Sequence, residues 1–233
     1  MLIFLDTETT GVETTDFICS IAILAEDSYI YELVNEGKKI PAQASAIHHI
    51  TNEMIQKSPK LKETQAWEYL QTHNSKENTL IGHNIPFDMH FLEQMGFVWQ
   101  GDVIDTLRTS KHLLEDCEEF SLQFLRYELK LYRDEEHHKE HYGIKDALSA
   151  HSALSDALVL KLLFETLCEM ASIDELRLLT HKKVLLLRLP FGKYQSRYIE
   201  EIAMSDRAYL EWMLGLEDLD EDLRYSLEYY LQG

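Results

Sequence analysis

The chain opens on an apolar run that stops on two carboxylates, Leu2-Ile-Phe-Leu-Asp6-Thr-Glu8. Strand side chains alternate between faces. Leu2, Phe4, Asp6 and Glu8 therefore share one face, and Ile3 and Leu5 point to the other. Apolar residues on both faces predict a buried central strand. Two more β-rich runs follow, Phe17 to Leu24 and Ser28 to Val34, separated by short turns. Such connections predict a three-stranded antiparallel meander.

The pattern then shifts toward helical spacing. Pro41 to Ile50 reads as a loop or short helix, and Leu61 to Thr72 as a helix with Trp67 and Leu70 on its apolar side. Thr79 to Gly82 is a short strand that runs into a helix carrying Phe91, Leu92 and Met95, with Asn84 as N-cap, Pro86 in the first turn and Gly96 as the stop. Val98 to Ile104 reads as a strand ending at Asp105, a cap for the next helix. Thr106 to Leu114 and Ser121 to Leu131 are predicted helices. Arg133 to Lys145, with His137, His138 and His141, reads as a solvated loop and not a metal site. Ala147 to Met170 is the longest helical pattern, and a second unit starts near Ile173. The fold class predicted is α/β: a mixed central sheet covered on both faces over residues 1–172, followed by a small domain over 173–233.

Composition narrows the function. With 233 residues and 45% hydrophobic content, the chain can build one sizeable core and a small second one. Cys19, Cys117 and Cys168 are odd in number and far apart, as in reduced thiols of a cytoplasmic protein, and not a disulfide frame or zinc site. No apolar run is long enough to span a bilayer, and the N-terminus lacks the pattern of a signal peptide. The net charge of −19 argues against a protein that coats nucleic acid non-specifically. It argues less against an enzyme whose acidic site is neutralised by cations.

Carboxylates at the end of a buried strand are costly unless hydrogen-bonded, protonated or bound to a cation. A later segment offers them company. In His151-Ser-Ala-Leu-Ser-Asp156, Asp156 falls on a core-facing helical stripe with Ala153, Leu160, Leu163, Leu167 and Met170. His151 stands five residues earlier, about 140° round a helix. The two can meet one point only if His151 lies at or before the helix start, with Ser152 as N-cap. Asp88 falls in the first turns of the helix after Asn84. Four hard-oxygen carboxylates, Asp6, Glu8, Asp88 and Asp156, suit two Mg²⁺ or Mn²⁺ ions better than zinc. A two-cation site can stabilise in-line displacement at a phosphodiester, with His151 as general base.

Asp6-Thr-Glu8, His83-Asn-x-x-Phe-Asp88 and His151-x-Ala-x-x-Asp156 together resemble the three motifs of the DEDDh 3′–5′ exonucleases. That family includes polymerase proofreading subunits, RNase T and exonuclease X. The resemblance covers about residues 1 to 170. It implies an RNase H-like fold with a five-stranded mixed sheet, and release of nucleoside 5′-monophosphates one at a time from a 3′-hydroxyl end. It also implies that Asp6, Glu8, Asp88 and Asp156 hold the metal ions and that His151 joins them in catalysis. The implied substrate-binding residues are Thr7, Thr9, Gly11, Val12, His48, His49 and Asn84. The family has Leu more often than Val at position 12, and Gly more often than His at position 49. An exodeoxyribonuclease acting on single-stranded or frayed 3′ ends in repair or end processing is the reading preferred. An exoribonuclease, a polymerase proofreading subunit, a self-associating or polymerase-bound form, and a non-catalytic nucleic-acid-binding module stand as alternatives.

Leu189-Pro-Phe-Gly-Lys193-Tyr194-Gln-Ser196 and the later Tyr209-Leu-Glu-Trp212 resemble a small C-terminal module of exonuclease X-like proteins, with Ser196 where a second glycine is usual. Between Leu176 and Ile199 lie Arg177, Lys182, Lys183, Arg188, Lys193 and Arg197, with no acidic residue. Interleaved aromatics allow two readings: a surface for single strands through Lys193 and Tyr194, or a linker whose aromatics pack inward. In the tail, Leu219, Leu223, Leu227 and Tyr230 are predicted to be core or an intersubunit face.

Overall fold

A computed structural model describes residues 1–114, 117–145 and 150–232. The meander forms as predicted. Strands β1 (Leu2–Thr9), β2 (Ile18–Ala25) and β3 (Ser28–Leu33) pair antiparallel, and β4 (Thr79–Gly82) and β5 (Asp102–Asp105) add in parallel beyond β1. The sheet order is β3-β2-β1-β4-β5, so β1 is central. The helices are α1 (Ala42–His48), α2 (Gln65–Thr72), α3 (Ile85–Gln94), α4 (Thr106–Leu113), α5 (Leu122–Glu128), α6 (Glu135–Tyr142), α7 (Ala153–Cys168), α8 (Ile173–His181), α9 (Ile199–Ser205), α10 (Arg207–Leu214) and α11 (Glu221–Gln232). This mixed five-stranded sheet flanked by helices matches the arrangement expected of an RNase H-like fold.

Alternation along β1 sorts the core into two layers. Phe4 packs with Ala22, Leu24 and α7, whereas Ile3 and Leu5 pack with Leu61, Leu70, Phe91 and Leu92 on the opposite side. Helix α7 is buried almost all round, from Ala153 to Leu167, so Asp156 sits inside the protein rather than on an amphipathic edge. Met170 lies beyond the helix end and is half exposed, which removes it from the predicted stripe. Positions 147–149 of that predicted helix lie outside the described residues.

Several boundaries differ from the sequence reading. Thr64 caps α2 by accepting from the Trp67 amide at 3.1 Å, which splits the expected Leu61–Thr72 helix into a 3₁₀ turn and α2. The 121–131 helix breaks before Lys130, whose φ of 60° is left-handed. Trp99 donates its indole N–H to the Asp102 carbonyl at 3.0 Å, and this closes a loop where strand was expected from Val98. The supposed solvated loop at 133–145 contains α6. Tyr142 and Ile144 are buried against α7, and this tertiary contact overrides the polar composition. Within α6, His138 faces Glu165 at 3.5 Å and His141 faces Asp27 at 3.0 Å.

Leu189, Ile199, Ile202, Leu210, Met213, Leu219, Leu223 and Leu227 form a separate apolar cluster at the C-terminus, with Tyr230 packed against it. The tail's helical stripe is thus core. Helix α8 packs on β5 and α4, and its Leu176 belongs to the main core. Arg108 of α4 joins the parts: it pairs with Asp222 at 2.8 Å and donates to the Thr180 carbonyl at 2.9 Å. Asp222 also accepts from the Val184 amide at 2.9 Å. Among the described residues no helix is long and apolar enough to cross a membrane, and none of Cys19, Cys117 and Cys168 is disulfide-bonded.

Candidate active site

Strand β1 outruns its parallel neighbour. It pairs with β4 only over Leu2–Phe4, whereas β2 accompanies it to Thr9. Asp6 and Glu8 therefore project past the carboxyl end of β4, where parallel strands leave an open crevice. The first turn of α7 brings Asp156 against β1. Carboxylate oxygens of Asp6, Glu8 and Asp156 all lie within 4.8 Å of one another. Asp88 comes from the first turn of α3 and is outside that group. Thr7 fixes it from β1, donating its hydroxyl to Asp88 Oδ1 at 2.6 Å.

Burial shows first in the acidities, and crowding adds to it at Asp6 and Glu8. Burial, and then the charges of Asp156, Asp88 and Glu8, push the Asp6 carboxyl well above the usual carboxylate range. Burial and the charges of Asp156 and Asp88 push Glu8 up to about 8. Burial raises Asp88 to about 7 against the opposing hydrogen bonds from Thr7. Asp156 is likewise raised to about 7 by burial, against hydrogen bonds from Gln123 and the His151 backbone. Among the described residues no Lys, Arg or His forms a salt bridge with any of the four. Ser20, paired across from Glu8, buries a hydroxyl with no hydrogen-bond partner among the described residues. A hard-oxygen donor set with unbalanced negative charge fits divalent Mg²⁺ or Mn²⁺.

His151 lies outside the 4.8 Å group and is exposed, one residue before the N-cap Ser152. Its φ of 57° turns the chain sharply into α7. The other implied residues divide by orientation. Thr7 and Thr9 are buried with their hydroxyls turned inward, Thr7 to Asp88 and Thr9 to the Gly11 carbonyl at 2.6 Å. Gly11 is required by space: a Cβ there would come within 2.4 Å of Asp16 Oδ2. Val12 is 76% exposed. His48 is buried, and its Nδ1 accepts from the Ile50 amide at 3.1 Å, while His49 is exposed with φ 62°. That left-handed backbone favours glycine. Lys193 and Tyr194 both bond Asp206, at 3.1 and 2.8 Å, within the C-terminal cluster.

The second motif is held from behind. His83 bridges the Thr106 hydroxyl at 3.0 Å and the Phe120 carbonyl at 2.8 Å. Asn84 occupies the N-cap position of α3 with φ 65° but makes no side-chain cap. Its amide instead donates to Asp105 Oδ1 at 2.9 Å, and Asp105 also caps α4 through Leu107 at 2.9 Å. The structural part expected for Asp105 is thus visible, while the side-chain cap expected of Asn84 is replaced.

Two contributors escaped the sequence reading. Asp16 shapes the turn after β1 by accepting from Thr10 at 2.7 Å and from the Glu13 amide at 3.0 Å. Gln123 donates Nε2 to Asp156 Oδ1 at 2.6 Å. A glutamine in a helix carries no signal of such a contact; Asp16 could have been suspected from the close Thr10 and Gly11.

Comparison with known proteins places the chain in a family. Residues 3–164 match the exonuclease family (RNase_T). The chain is 25% identical to exodeoxyribonuclease 10 of Escherichia coli (strain K12) over 242 residues, covering all of both chains. It is 28% identical to the DNA polymerase III subunit epsilon of Rickettsia prowazekii (strain Madrid E) over 162 residues, covering 62% of this chain and 68% of that protein. The fold resembles exonuclease X in complex with 5′ overhanging duplex DNA, with a TM-score of 0.59 and 23% identity over 77% of this chain and 99% of that one. It also resembles an Escherichia coli ExoI–ssDNA complex, with a TM-score of 0.52 and 17% identity over 75% of this chain and 41% of that one.

Proposed function

Since this chain belongs to the exonuclease family, a family of nuclease hydrolases that act on nucleic-acid ends, we propose that it is a metal-dependent 3′–5′ exodeoxyribonuclease of the DEDDh type, working in the cytoplasm in DNA repair or end processing. The observation that carries this reading is the convergence of Asp6, Glu8 and Asp156 within 4.8 Å. The preference for DNA rests on the likeness to an exodeoxyribonuclease along the full chain. Its substrate is DNA with a free 3′ end, single-stranded or frayed.

Asp6, Glu8, Asp88 and Asp156 would hold two Mg²⁺ or Mn²⁺ ions, which when bound supply charge neutralisation and Lewis acidity for displacement at phosphorus. Thr7 holds Asp88 in place for this. His151, exposed at the entry to α7, would accept a proton from the attacking water. The water oxygen bonds to phosphorus and the bond to the penultimate 3′ oxygen breaks. That oxygen takes a proton from solvent, and a nucleoside 5′-monophosphate leaves. Gly11 and the exposed Val12 and His49 border the terminal nucleotide. His48, Thr9 and Asn84 shape those segments from within. Residues 173–233 form the C-terminal module, and α8 is its joint to the main sheet.

The test uses 5′-labelled single-stranded DNA and RNA of matched sequence, with Mg²⁺ or with EDTA. A metal-dependent ladder shortening from the 3′ end, faster on DNA, is expected. Faster loss of RNA would replace the substrate assignment, and a near-normal rate for Asp156→Ala would sink the assigned site.

A further inference from the structure

Behind Asp156 stands a chain of three side chains from two other helices. Gln123 and Arg126 come from α5, and Glu135 opens α6. Arg126 Nη1 donates to Gln123 Oε1 at 3.2 Å, and Gln123 Nε2 donates to Asp156 Oδ1 at 2.6 Å. Arg126 is itself clamped by Glu135 through two bonds of 2.5 and 2.6 Å. Arg126 and Glu135 are 9% and 7% exposed, so the pair is shielded from solvent.

Chemistry fixes the direction of this chain. Guanidinium can only donate and an ionised carboxylate can only accept. A primary amide between them has one orientation that satisfies both: its oxygen toward Arg126 and its NH₂ toward Asp156. The reversed amide would set donor against donor and acceptor against acceptor. Glu135 occupies two donors of Arg126 and stops the guanidinium from swinging onto Asp156 itself. A direct arginine contact would compete with a divalent cation for the carboxylate. What reaches Asp156 is a neutral N–H donor, which engages one oxygen and leaves the other unclaimed by that amide.

We propose that Gln123 is a positioning residue for the metal site, locked by the buried Arg126–Glu135 pair so that Asp156 is held in one rotamer. This inference rests on the reading of Asp156 as a metal ligand. It gives a purpose to α6, whose Glu135 serves a site 21 residues away in sequence, roughly the distance that hides such partners from local pattern reading. Partners behind metal ligands typically contribute 10–100-fold to affinity or activity.

The experiment is calorimetric titration of Mn²⁺ into the full chain, alongside thermal unfolding in EDTA. The proteins are the wild type, Asp156→Asn, Gln123→Leu, Gln123→Glu and the double variant Arg126→Leu/Glu135→Leu. The double variant removes both buried charges together, so no lone charge is left to unfold the protein. Gln123→Leu is expected to weaken Mn²⁺ binding about tenfold or more, with an unfolding temperature in EDTA close to wild type. Gln123→Glu keeps the shape, loses the donor and adds repulsion, so it is expected to weaken binding at least as far. The double variant leaves the amide unlocked and should fall between wild type and Gln123→Leu. If wild type binds Mn²⁺ and Asp156→Asn loses it while Gln123→Leu binds like wild type, the positioning role is overturned and the metal site stands. If wild type and Asp156→Asn bind alike, the metal-site reading itself has failed and the inference falls with it.

Discussion

Asp156→Asn is expected to destroy the exonuclease while making the metal-free protein more stable. In the folded chain Asp156 titrates at about 7, against an ordinary value of 3.8. Below the ordinary value the carboxyl is protonated whether folded or unfolded, and contributes nothing. As pH rises from about 4 to 7 the unfolded chain releases the proton and the folded chain keeps it, so stability falls. Above about 7 the full penalty is in place. At 1.36 kcal/mol per tenfold change in acidity, this penalty is on the order of 2–4 kcal/mol after allowance for relaxation of a crowded site. Asparagine keeps the oxygen that accepts from Gln123 at 2.6 Å and removes the charge. In EDTA at pH 8 the variant should unfold about 5–12 °C above wild type, and the difference should shrink toward zero near pH 4. Mn²⁺ should raise the wild-type midpoint and move the variant's much less. Differential scanning calorimetry across this pH range gives the answer. A variant equal to or less stable than wild type in EDTA at pH 8 would refute the claim that burying the Asp156 charge destabilises the metal-free site.

Three further outcomes are expected. His151→Ala should lower the hydrolysis rate about 10²–10⁴-fold and leave Mn²⁺ affinity nearly unchanged, read by single-turnover kinetics and calorimetry. Arg108→Leu strands the buried Asp222 and should cost roughly 3 kcal/mol; hydrogen exchange should show lost protection after Val184 with β1 still protected, and adding Asp222→Asn should recover part of it. Ser196 holds φ 66° while exposed, so Ser196→Gly should stabilise by about 0.5–1 kcal/mol, seen as a small rise in the thermal midpoint with exonuclease rate unchanged.

Local rules carried part of this protein into view from its sequence. Period-two alternation placed Asp6 and Glu8 on the face of Phe4, and the burial of Phe4 and of Ile3 and Leu5 on opposite sides of the sheet agrees. Helical periodicity put Leu219, Leu223 and Leu227 on one buried stripe. Asp105, between a strand and a helix, was legible as a cap because capping needs only neighbours in sequence. Even the departures at His49 and Ser196 fell on left-handed backbone positions, since a usual glycine marks such a conformation.

Tertiary structure alone decided the rest. The distance among Asp6, Glu8 and Asp156 depends on β1 outrunning β4 and on α7 crossing beside it. The basic stretch could not be weighed from composition: Arg177 is paired with Asp174 and Asp102, Lys193 with Asp206 and Arg197 with Glu201, all four acids lying outside the stretch in sequence. The polar segment at 133–145 became a helix because Tyr142 and Ile144 found the core. Gln123 acquires its partner 33 residues away. A side chain's burial, charge state and partner are set by what folds against it, and propensity and spacing report only on neighbours along the chain.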